Sequence, residues 1–329
     1  MRFPARSARP RRPVPILVSA VLTVVTAVTT TACGPDLSKQ NFPRTTVAAT
    51  AASDPGAAAG SALTVAALRT VDPCGLLDSG TLGDLGKIAD GELSPYALGE
   101  CRNVVTDAGG KRIALDLQLA DIVTGSNPSG TIEGLPLSVD KIDDTTCNVD
   151  GITSKENGSG ISVHVTYKGG DACGAGQTVL QKVIQRLRDT PPQLPQPKGT
   201  LLTVDFCTLL DNTTVTGVLG RGSTGSFYGL HGCSFSGGSA GGYLSYDLTA
   251  PPLDDTKVDL GGGVTGDQKL ETSAGKRCTI SWLHRSAENG KGEVVEVQYD
   301  NYHDDAAKDD ACGKALTLAK AVLPKLPRP

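Results

Sequence analysis

The residues that could perform acid–base or nucleophilic chemistry are few and dispersed. A hydrolase would join His231 or His303 to a nearby acid and to a hydroxyl such as Ser234, but no Gly-x-Ser-x-Gly turn surrounds that hydroxyl. No Cys-x-x-Cys spacing offers a zinc site. The sequence therefore predicts no catalytic residue, metal site or cofactor, and a hydrolase is kept only as an alternative. The four histidines are His164, His231, His284 and His303.

An acidic run between positions 300 and 310 contains residue types that bind calcium. Its carboxylates would be suitable oxygen ligands, but the alternating acids and the closing bidentate Glu of a calcium loop are missing. We interpret the run as a solvated loop whose acids favour the N-terminus of the next helix. Its acids are Asp300, Asp304, Asp305, Asp309 and Asp310.

Aromatic side chains are concentrated in the second half of the chain. Only Tyr96 and Tyr167 occur between positions 74 and 187, whereas nine aromatic residues occur between 206 and 326. Exposed rings in loops or on the outer face of a sheet could form an apolar or glycan-contacting surface. The predicted ligand-binding residues are Phe227, Tyr228, Tyr243 and Tyr302. The rings predicted to fill the core are Phe235, Tyr246, Trp282 and Tyr299.

Nine cysteines divide into one near the N-terminus and two matched sets of four. The gaps within the sets are 27, 46 and 26 residues in one and 26, 45 and 34 in the other. This spacing predicts two tandem copies of one disulfide-stapled module, the first from Cys74 to Leu187 and the second from Cys207 to Leu326. Matched even sets behind an export signal indicate an oxidising compartment.

Four cysteines allow three pairings, and the sequence does not choose among them. We favour a nested pairing, which would tie the starts of two helices and the starts of two strands, while consecutive pairing is the competitor. The nested pairs are Cys74–Cys173, Cys101–Cys147, Cys207–Cys312 and Cys233–Cys278.

The N-terminus has the features of an export signal. A basic head with five arginines and no acid precedes an apolar run and the small residues before Cys33. This arrangement resembles a bacterial lipobox, in which the cysteine is acylated, for example with palmitate, although Thr30 stands where that motif usually has Leu. We expect lipidation at Cys33 and a membrane anchor; ordinary secretion, with Cys33 as an unpaired thiol, is the alternative.

Charge argues against nucleic acid as a partner. The whole chain has 31 basic and 35 acidic residues; without the five arginines of the signal, 26 and 35 remain, a net charge of −9. The predicted organisation is a signal peptide at 1–32, a flexible tether at 33–69, a first module at 70–189, a Pro-rich linker at 190–199 and a second module at 200–329.

Hydrophobic periodicity predicts an α+β fold, in which each module is a twisted antiparallel sheet with helices packed on one face. Short helices are expected over 76–85 and 209–219, with Asp78 and Asp211 near their starts as N-cap candidates. Alternation at 113–119, 161–167, 244–248 and 295–299 predicts half-buried strands. Asn157-Gly158 and Asn289-Gly290 predict hairpin turns, and the segments after Cys173 and Cys312 predict closing helices.

Several motifs resemble one family. Val71-Asp72-Pro73-Cys74 and the closing segments Asp171-Ala172-Cys173 and Asp310-Ala311-Cys312-Gly313-Lys314-Ala315 resemble the actinobacterial lipoproteins of unknown function with a D-P-C…C…C…D-x-C-x-x-A pattern. Phe206 departs from that pattern, because it stands where Pro would precede Cys207. The resemblance implies an envelope lipoprotein with an α+β fold and supplies no catalytic residues. More distantly, the modules resemble extracellular sensor domains of mycobacterial receptor kinases, which suggests binding.

The sequence as a whole favours a non-catalytic binding module on the extracytoplasmic face of the cell membrane. Its partner would be a small apolar or envelope ligand, or a protein, captured mainly by the second module. A structural or scaffolding lipoprotein of the cell envelope is the alternative.

Overall fold

The computed structural model describes residues 60–123, 127–238, 240–253, 256–273, 275–304 and 306–329. All of them belong to one compact unit, Thr50–Pro329. The predicted signal peptide, the lipidation site Cys33 and the tether up to position 59 lie outside the described residues, as does Asp305. Within the described ranges, none of the helices has the length and apolar character needed to cross a membrane.

The first sheet has eight antiparallel strands in the order β1-β3-β4-β8-β7-β6-β5, with β2 paired to β3. The strands are β1 Lys87–Ile88, β2 Ser94–Ala97, β3 Glu100–Thr106, β4 Arg112–Ile122, β5 Gly130–Ile132, β6 Leu135–Lys141, β7 Thr146–Ser154 and β8 Ser159–Tyr167. The predicted alternation is confirmed in β4, where Ile113, Leu115, Leu117 and Leu119 are buried.

The second sheet has seven antiparallel strands in the order β12-β13-β14-β15-β11-β10-β9. The strands are β9 Thr224–Phe227, β10 Gly232–Gly237, β11 Ala240–Thr249, β12 Thr256–Gly261, β13 Val264–Glu271, β14 Lys276–Ser286 and β15 Gly292–Asn301. Val295, Val297 and Tyr299 are buried as predicted, but Leu248 lies at the solvent-exposed end of β11. The prediction of an α+β protein is confirmed at the level of two antiparallel sheets with few helices.

Six α-helices are described: α1 Val65–Leu68, α2 Pro73–Leu76, α3 Ser79–Leu82, α4 Ala172–Asp189, α5 Asn212–Leu219 and α6 Ala311–Val322. The helix predicted after Asp78 is therefore only one turn, preceded by a separate turn at α2. The stretch predicted as a tether already folds near its end, since a 3-10 turn at Ser61–Leu63 and helix α1 bury Leu63 and Leu68 completely.

An aspartate two residues before a cysteine begins four of the helical segments. Asp72 and Asp205 accept hydrogen bonds from the backbone N–H of Cys74 and of Cys207 at 2.9 and 3.1 Å. Asp171 caps α4 through Gly174 N, and Asp310 in the same way caps α6 through Gly313 N, at 3.0 Å in both helices. Each aspartate satisfies a backbone donor that a helix N-terminus would otherwise leave unpaired.

The nested disulfide pairing is wrong, and the consecutive pairing is the one observed. Each disulfide joins a cysteine at an aspartate-capped helical N-terminus to a buried cysteine in a strand. The nested prediction assumed that cysteines at helix starts pair with each other. In the fold, each capped helical turn instead lies over a strand that carries its partner cysteine. The disulfides are Cys74–Cys101, Cys147–Cys173, Cys207–Cys233 and Cys278–Cys312, with Cα–Cα distances of 5.0–5.2 Å.

Both predicted Asn-Gly turns connect neighbouring strands. In the turn between β14 and β15, Asn289 and Gly290 have positive φ values of 57° and 73°, the pattern that favours these two residues. In the turn between β7 and β8 the positive φ, 69°, belongs to Gly158.

The predicted linker at 190–199 pairs with the segment before α2. Asp72 N donates to Pro192 O at 2.9 Å, and Leu194 N donates to Thr70 O at 2.8 Å. This segment of the linker is therefore held against the chain by backbone hydrogen bonds instead of spanning open solvent.

The buried carboxylate of Glu293 holds the chain just after the linker. It accepts hydrogen bonds from Leu201 N at 3.0 Å and from the Thr200 hydroxyl, and it forms an ion pair with Arg285 at 2.9 Å. These partners offset the cost of burying the charge.

The two hydrophobic clusters each take residues from the other half of the chain. Leu230 belongs to the cluster of the first sheet and Phe227 packs against it, while Leu98 packs against the cluster of the second sheet. Arg69 adds polar contacts, because its Nε donates to Leu230 O at 3.3 Å and its guanidinium lies 3.2 Å from the Asp205 carboxylate.

Candidate functional site

The open face of the first sheet carries two transverse rows of polar side chains. They stand at the outward positions of strands whose inward positions fill the hydrophobic cluster. The cross-strand register aligns one row as Glu100, Gln118, Ser162, Asp150 and Ser138. The same register aligns the other row as Arg102, Asp116, His164, Asn148 and Asp140.

A cavity of about 830 Å³ lies over these rows, and we call it the acidic groove. Its volume falls within the range of small-molecule sites. Five carboxylates line it: Glu100, Asp116, Asp121, Asp140 and Asp150. Arg102 is the one lysine or arginine among the described lining residues, and its guanidinium is already bound to both Asp116 oxygens at 2.6 and 3.0 Å. The charge of the groove is therefore predominantly negative.

The floor of the acidic groove contains polar groups that are almost fully removed from solvent. Asp150 is 9% exposed and Ser162 is 7% exposed. In the described structure the Ser162 Oγ faces Asp150 across the strand pair, close enough to favour the charged carboxylate but without a hydrogen bond of good geometry. A buried hydroxyl that is incompletely satisfied is costly, so a ligand that hydrogen-bonds to it would be favoured.

Burial raises the pKa of the Asp150 carboxyl above its ordinary value. The nearby Ser162 hydroxyl opposes this shift by favouring the charged form, while the negative charges of Asp121 and Asp140 raise the pKa further. The same causes act on Glu100: burial raises its pKa, Gln118 opposes the shift, and Asp121 and other acids add to it. Because the arginine of the groove is already bound to Asp116, the crowding of the other carboxylates is an electrostatic cost that a bound positive charge would relieve.

A β-bulge brings one of these acids into the groove. The pairing of β4 with β8 shifts between Leu119 and Asp121, and Ala120 has a positive φ of 53°. Without the extra residue, the alternation of β4 would point Asp121 towards the core. Local backbone strain at Ala120 therefore positions a fifth carboxylate in the groove.

The histidine of the groove has a defined tautomer. His164 Nδ1 lies 2.5 Å from Asn148 Oδ1. Because an amide oxygen accepts, Nδ1 carries the hydrogen, and Nε2 is the acceptor when the ring is neutral. His164 is thus a polar contact on the groove floor, bonded to an amide.

The four aromatic residues predicted to bind a ligand do not form one site. Tyr228, which is 50% exposed, packs edge-on against Tyr243 with ring centroids 4.8 Å apart. Phe227 packs on the first hydrophobic cluster, so its expected exposure in a loop is wrong. Tyr302 lies under the guanidinium of Arg277, beyond the end of β15.

Two of the other candidate histidines make structural contacts, and the third is exposed. His231 is buried edge-on against Tyr246 with ring centroids 4.7 Å apart, and His284 Nε2 lies 3.0 Å from Gly199 O. His303 is exposed. In the described ranges, no group of three or more His, Cys, Asp or Glu side chains is placed to hold a metal ion.

In the acidic run, Asp310 caps α6 as expected, but Asp309 is not solvated. Burial alone would raise the pKa of Asp309, but hydrogen bonds from Lys314, Tyr299 and Asn301 lower this pKa to about 2. The carboxylate of Asp309 therefore connects the end of β15 to the start of α6 through these hydrogen bonds.

The acidic groove was not predicted from the sequence. The alternation in β4 and β8 already indicated that Asp116, Gln118, Ser162 and His164 face outward. What it lacked was the pairing of strands, since the rows form only when β4 lies between β3 and β8.

Comparisons with known proteins add little. No family model matches the chain, and no curated protein matches it. Among solved structures, a chain from the crystal structure of MucB in complex with MucA(peri) aligns with 61% of this chain and 81% of its own length, at 10% identity and a TM-score of 0.13. A TM-score this low carries no argument about fold or function.

Proposed function

We propose that this chain is an extracytoplasmic, lipid-anchored, non-catalytic binding protein, and that the acidic groove holds a small polar ligand. The observation that carries the proposal is the groove floor, where Asp150 and Ser162 are more than nine-tenths buried yet line a cavity of about 830 Å³. Buried polar groups that converge on a cavity of this size are typical of ligand sites.

The cellular location is part of the same proposal. Four disulfides fit an oxidising compartment, and the export signal with Cys33 fits an envelope lipoprotein of the actinobacterial family that the sequence resembles. The anchor would leave the folded part at the outer face of the cell membrane.

The two halves are proposed to be tandem copies of one module, each with its closing helix on one face of its sheet. Support comes from the aspartate-capped cysteines in both halves and from the buried residues of α4 and α6. These residues share hydrophobic clusters with β8 and β15.

The proposal is tested by measuring the mass of the purified full-length protein under native and denaturing conditions. A co-purifying small molecule is expected in the wild type and is expected to be lost from Gln118→Trp, because the indole would fill the middle of the groove. Thr279→Trp is the matched control, since Thr279 is a half-buried, outward residue at the centre of the second sheet. Equal occupancy in both variants would refute the groove as the site.

A protein partner is the second candidate, and the packing of the exposed Tyr228 on the partly buried Tyr243 favours it. Tyrosine is enriched among the residues that anchor protein interfaces. Crosslinking in the intact envelope should capture a partner with the wild type and lose it with Tyr228→Ser; capture by both proteins would argue against this surface.

A further inference from the structure

The charges of the acidic groove are spread across the sheet and do not converge on one point. Glu100 lies on β3 and Asp150 lies on β7, three strand spacings away, which is about 14 Å. Asp140 lies one strand further, on β6. A single metal ion draws its oxygen ligands to one centre, whereas acids this far apart match separate positive charges on one elongated molecule.

The groove between these acids is polar and partly unsatisfied. Gln118 and Ser162 lie between Glu100 and Asp150 in the same row, and the buried Ser162 hydroxyl makes no hydrogen bond of good geometry in the described structure. Asp121 adds a charge near both ends, because it acts electrostatically on Glu100 and on Asp150. A hydrogen-bonding, positively charged chain would therefore find acceptors along its whole length.

An aromatic ring stands at the rim. Tyr96 lines the groove, is 79% exposed and lies close enough to Arg102 to influence that guanidinium electrostatically. The face of an exposed tyrosine attracts a cation, and an ammonium group at the entrance would gain this contact.

We propose that the acidic groove binds an elongated organic polycation, with one ammonium group near Glu100 and Asp121 and another near Asp150 and Asp140. This inference rests on the proposed function, because it names the chemical class of the ligand in the same groove. It replaces the apolar ligand expected from the sequence. A linear polyamine has the required chemistry: separate ammonium groups on a flexible chain with further N–H donors between them.

The electrostatics of the groove residues support this choice. Burial and neighbouring acids raise the pKa values of both Glu100 and Asp150, so the protein alone disfavours the charged form of each. A bound cation favours the charged carboxylates. Binding should therefore be weaker at pH 5 than at pH 7.5 and should weaken with added salt.

The test is calorimetric titration of the full-length protein with spermine at low and moderate ionic strength. Asp150→Asn and Glu100→Gln are each expected to weaken binding about ten-fold or more, because each removes a charged hydrogen-bonding partner. Putrescine, which is too short to reach both ends, is expected to bind less tightly than spermine. Glu296→Gln is the matched control: burial also raises the pKa of Glu296, but this residue belongs to the second sheet.

The outcomes separate the ligand class from the function. If Asp150→Asn does not fold, the exposed Asp140→Asn provides the same test at that end of the groove. Spermine binding that is weakened equally by Glu296→Gln would indicate diffuse attraction to an acidic protein and would overturn the inference. No spermine binding, together with a co-purifying molecule lost from Gln118→Trp, would overturn the polycation and keep the proposed function. Absence of both would overturn both.

Discussion

The burial of His231 predicts that this protein loses stability in mild acid. The ring is 6% exposed, packs edge-on against Tyr246, and in the described structure neither of its nitrogens has a hydrogen-bond partner. Burial, with a smaller contribution from the Arg69 cation, lowers the pKa of His231 from 6.5 to about 3. Asp205 pairs with Arg69, and Glu293 and Asp247 act electrostatically on the neighbouring Tyr246.

The sign and the size of the change in unfolding free energy with pH follow from the linkage between protonation and folding. The folded state holds His231 neutral, so its contribution to stability is fully present above pH 6.5 and is lost progressively as the pH falls towards about 3. One pH unit corresponds to about 1.4 kcal/mol, so the loss at pH 5 is about 2 kcal/mol relative to neutral pH.

The assay is urea unfolding of the wild type and of His231→Phe at pH 7.5 and pH 5.0. The comparison is made between pH values within each protein, so a misfit of the phenyl ring cancels. Other groups titrate in both proteins and cancel likewise. The wild type is expected to lose about 2 kcal/mol more than His231→Phe over this interval.

The exposed His303 supplies the control, because its ring is in contact with solvent in the folded chain. His303→Gln should keep the wild-type dependence of the unfolding free energy on pH. If His231→Phe and the wild type lose the same free energy between pH 7.5 and pH 5.0, the buried-histidine reasoning is refuted.

Chemical denaturation of further variants tests a helix cap, a β-bulge and a buried arginine. Asp171→Ala should lower the free energy of unfolding by about 1 kcal/mol, because it removes the cap of α4. Asp171→Asn should retain most of the wild-type stability, because the amide oxygen can also accept the hydrogen bond from Gly174 N. Ala120→Val should cost about 1–2 kcal/mol, because a branched side chain resists the positive φ of the bulge, whereas Ala120→Gly should cost less, because glycine adopts positive φ readily. Arg69→Met should cost about 1–3 kcal/mol, because it leaves the Leu230 carbonyl without its donor. The exposed Arg102→Met should cost less than about 1 kcal/mol, and equal losses for Arg69 and Arg102 would contradict this reasoning.

Periodicity was sufficient for the elements whose inward residues are regularly spaced. The strands β4, β8 and β15, and the helices α4, α5 and α6, all occur where alternation or helical spacing predicted them. Local hydrogen bonding also made the N-caps readable, since Asp78 and Asp211 accept from the following backbone as expected. These features depend on residues that are close together in the chain, and such residues can be read directly from the sequence.

The disulfide pairing could not be read from local signals alone. The sequence placed Cys74, Cys173, Cys207 and Cys312 at helix starts and the other four cysteines at strand starts, but it did not show that each helix start pairs with a strand. The remaining choice of strand depends on which turn lies over which strand, a long-range property.

The candidate site depended even more on long-range contacts. Its rows require the register of five strands that are not consecutive in the chain, and Asp121 enters the groove only through the bulge at Ala120. Neither the strand order nor the bulge leaves a local pattern of residue types, because alanine is not a residue that positive φ selects.

The consecutive disulfides have a consequence for limited proteolysis. They close four separate loops in series, each spanning 26 to 34 residues. A single cut within a loop, for example between Cys74 and Cys101, leaves the two fragments covalently joined. A single cut between loops, for example between Cys101 and Cys147, releases two fragments in denaturant without any reducing agent. In the native state such a nicked chain would be held together only by strand pairing and packing, so each stretch between loops is a point where one protease event divides the protein.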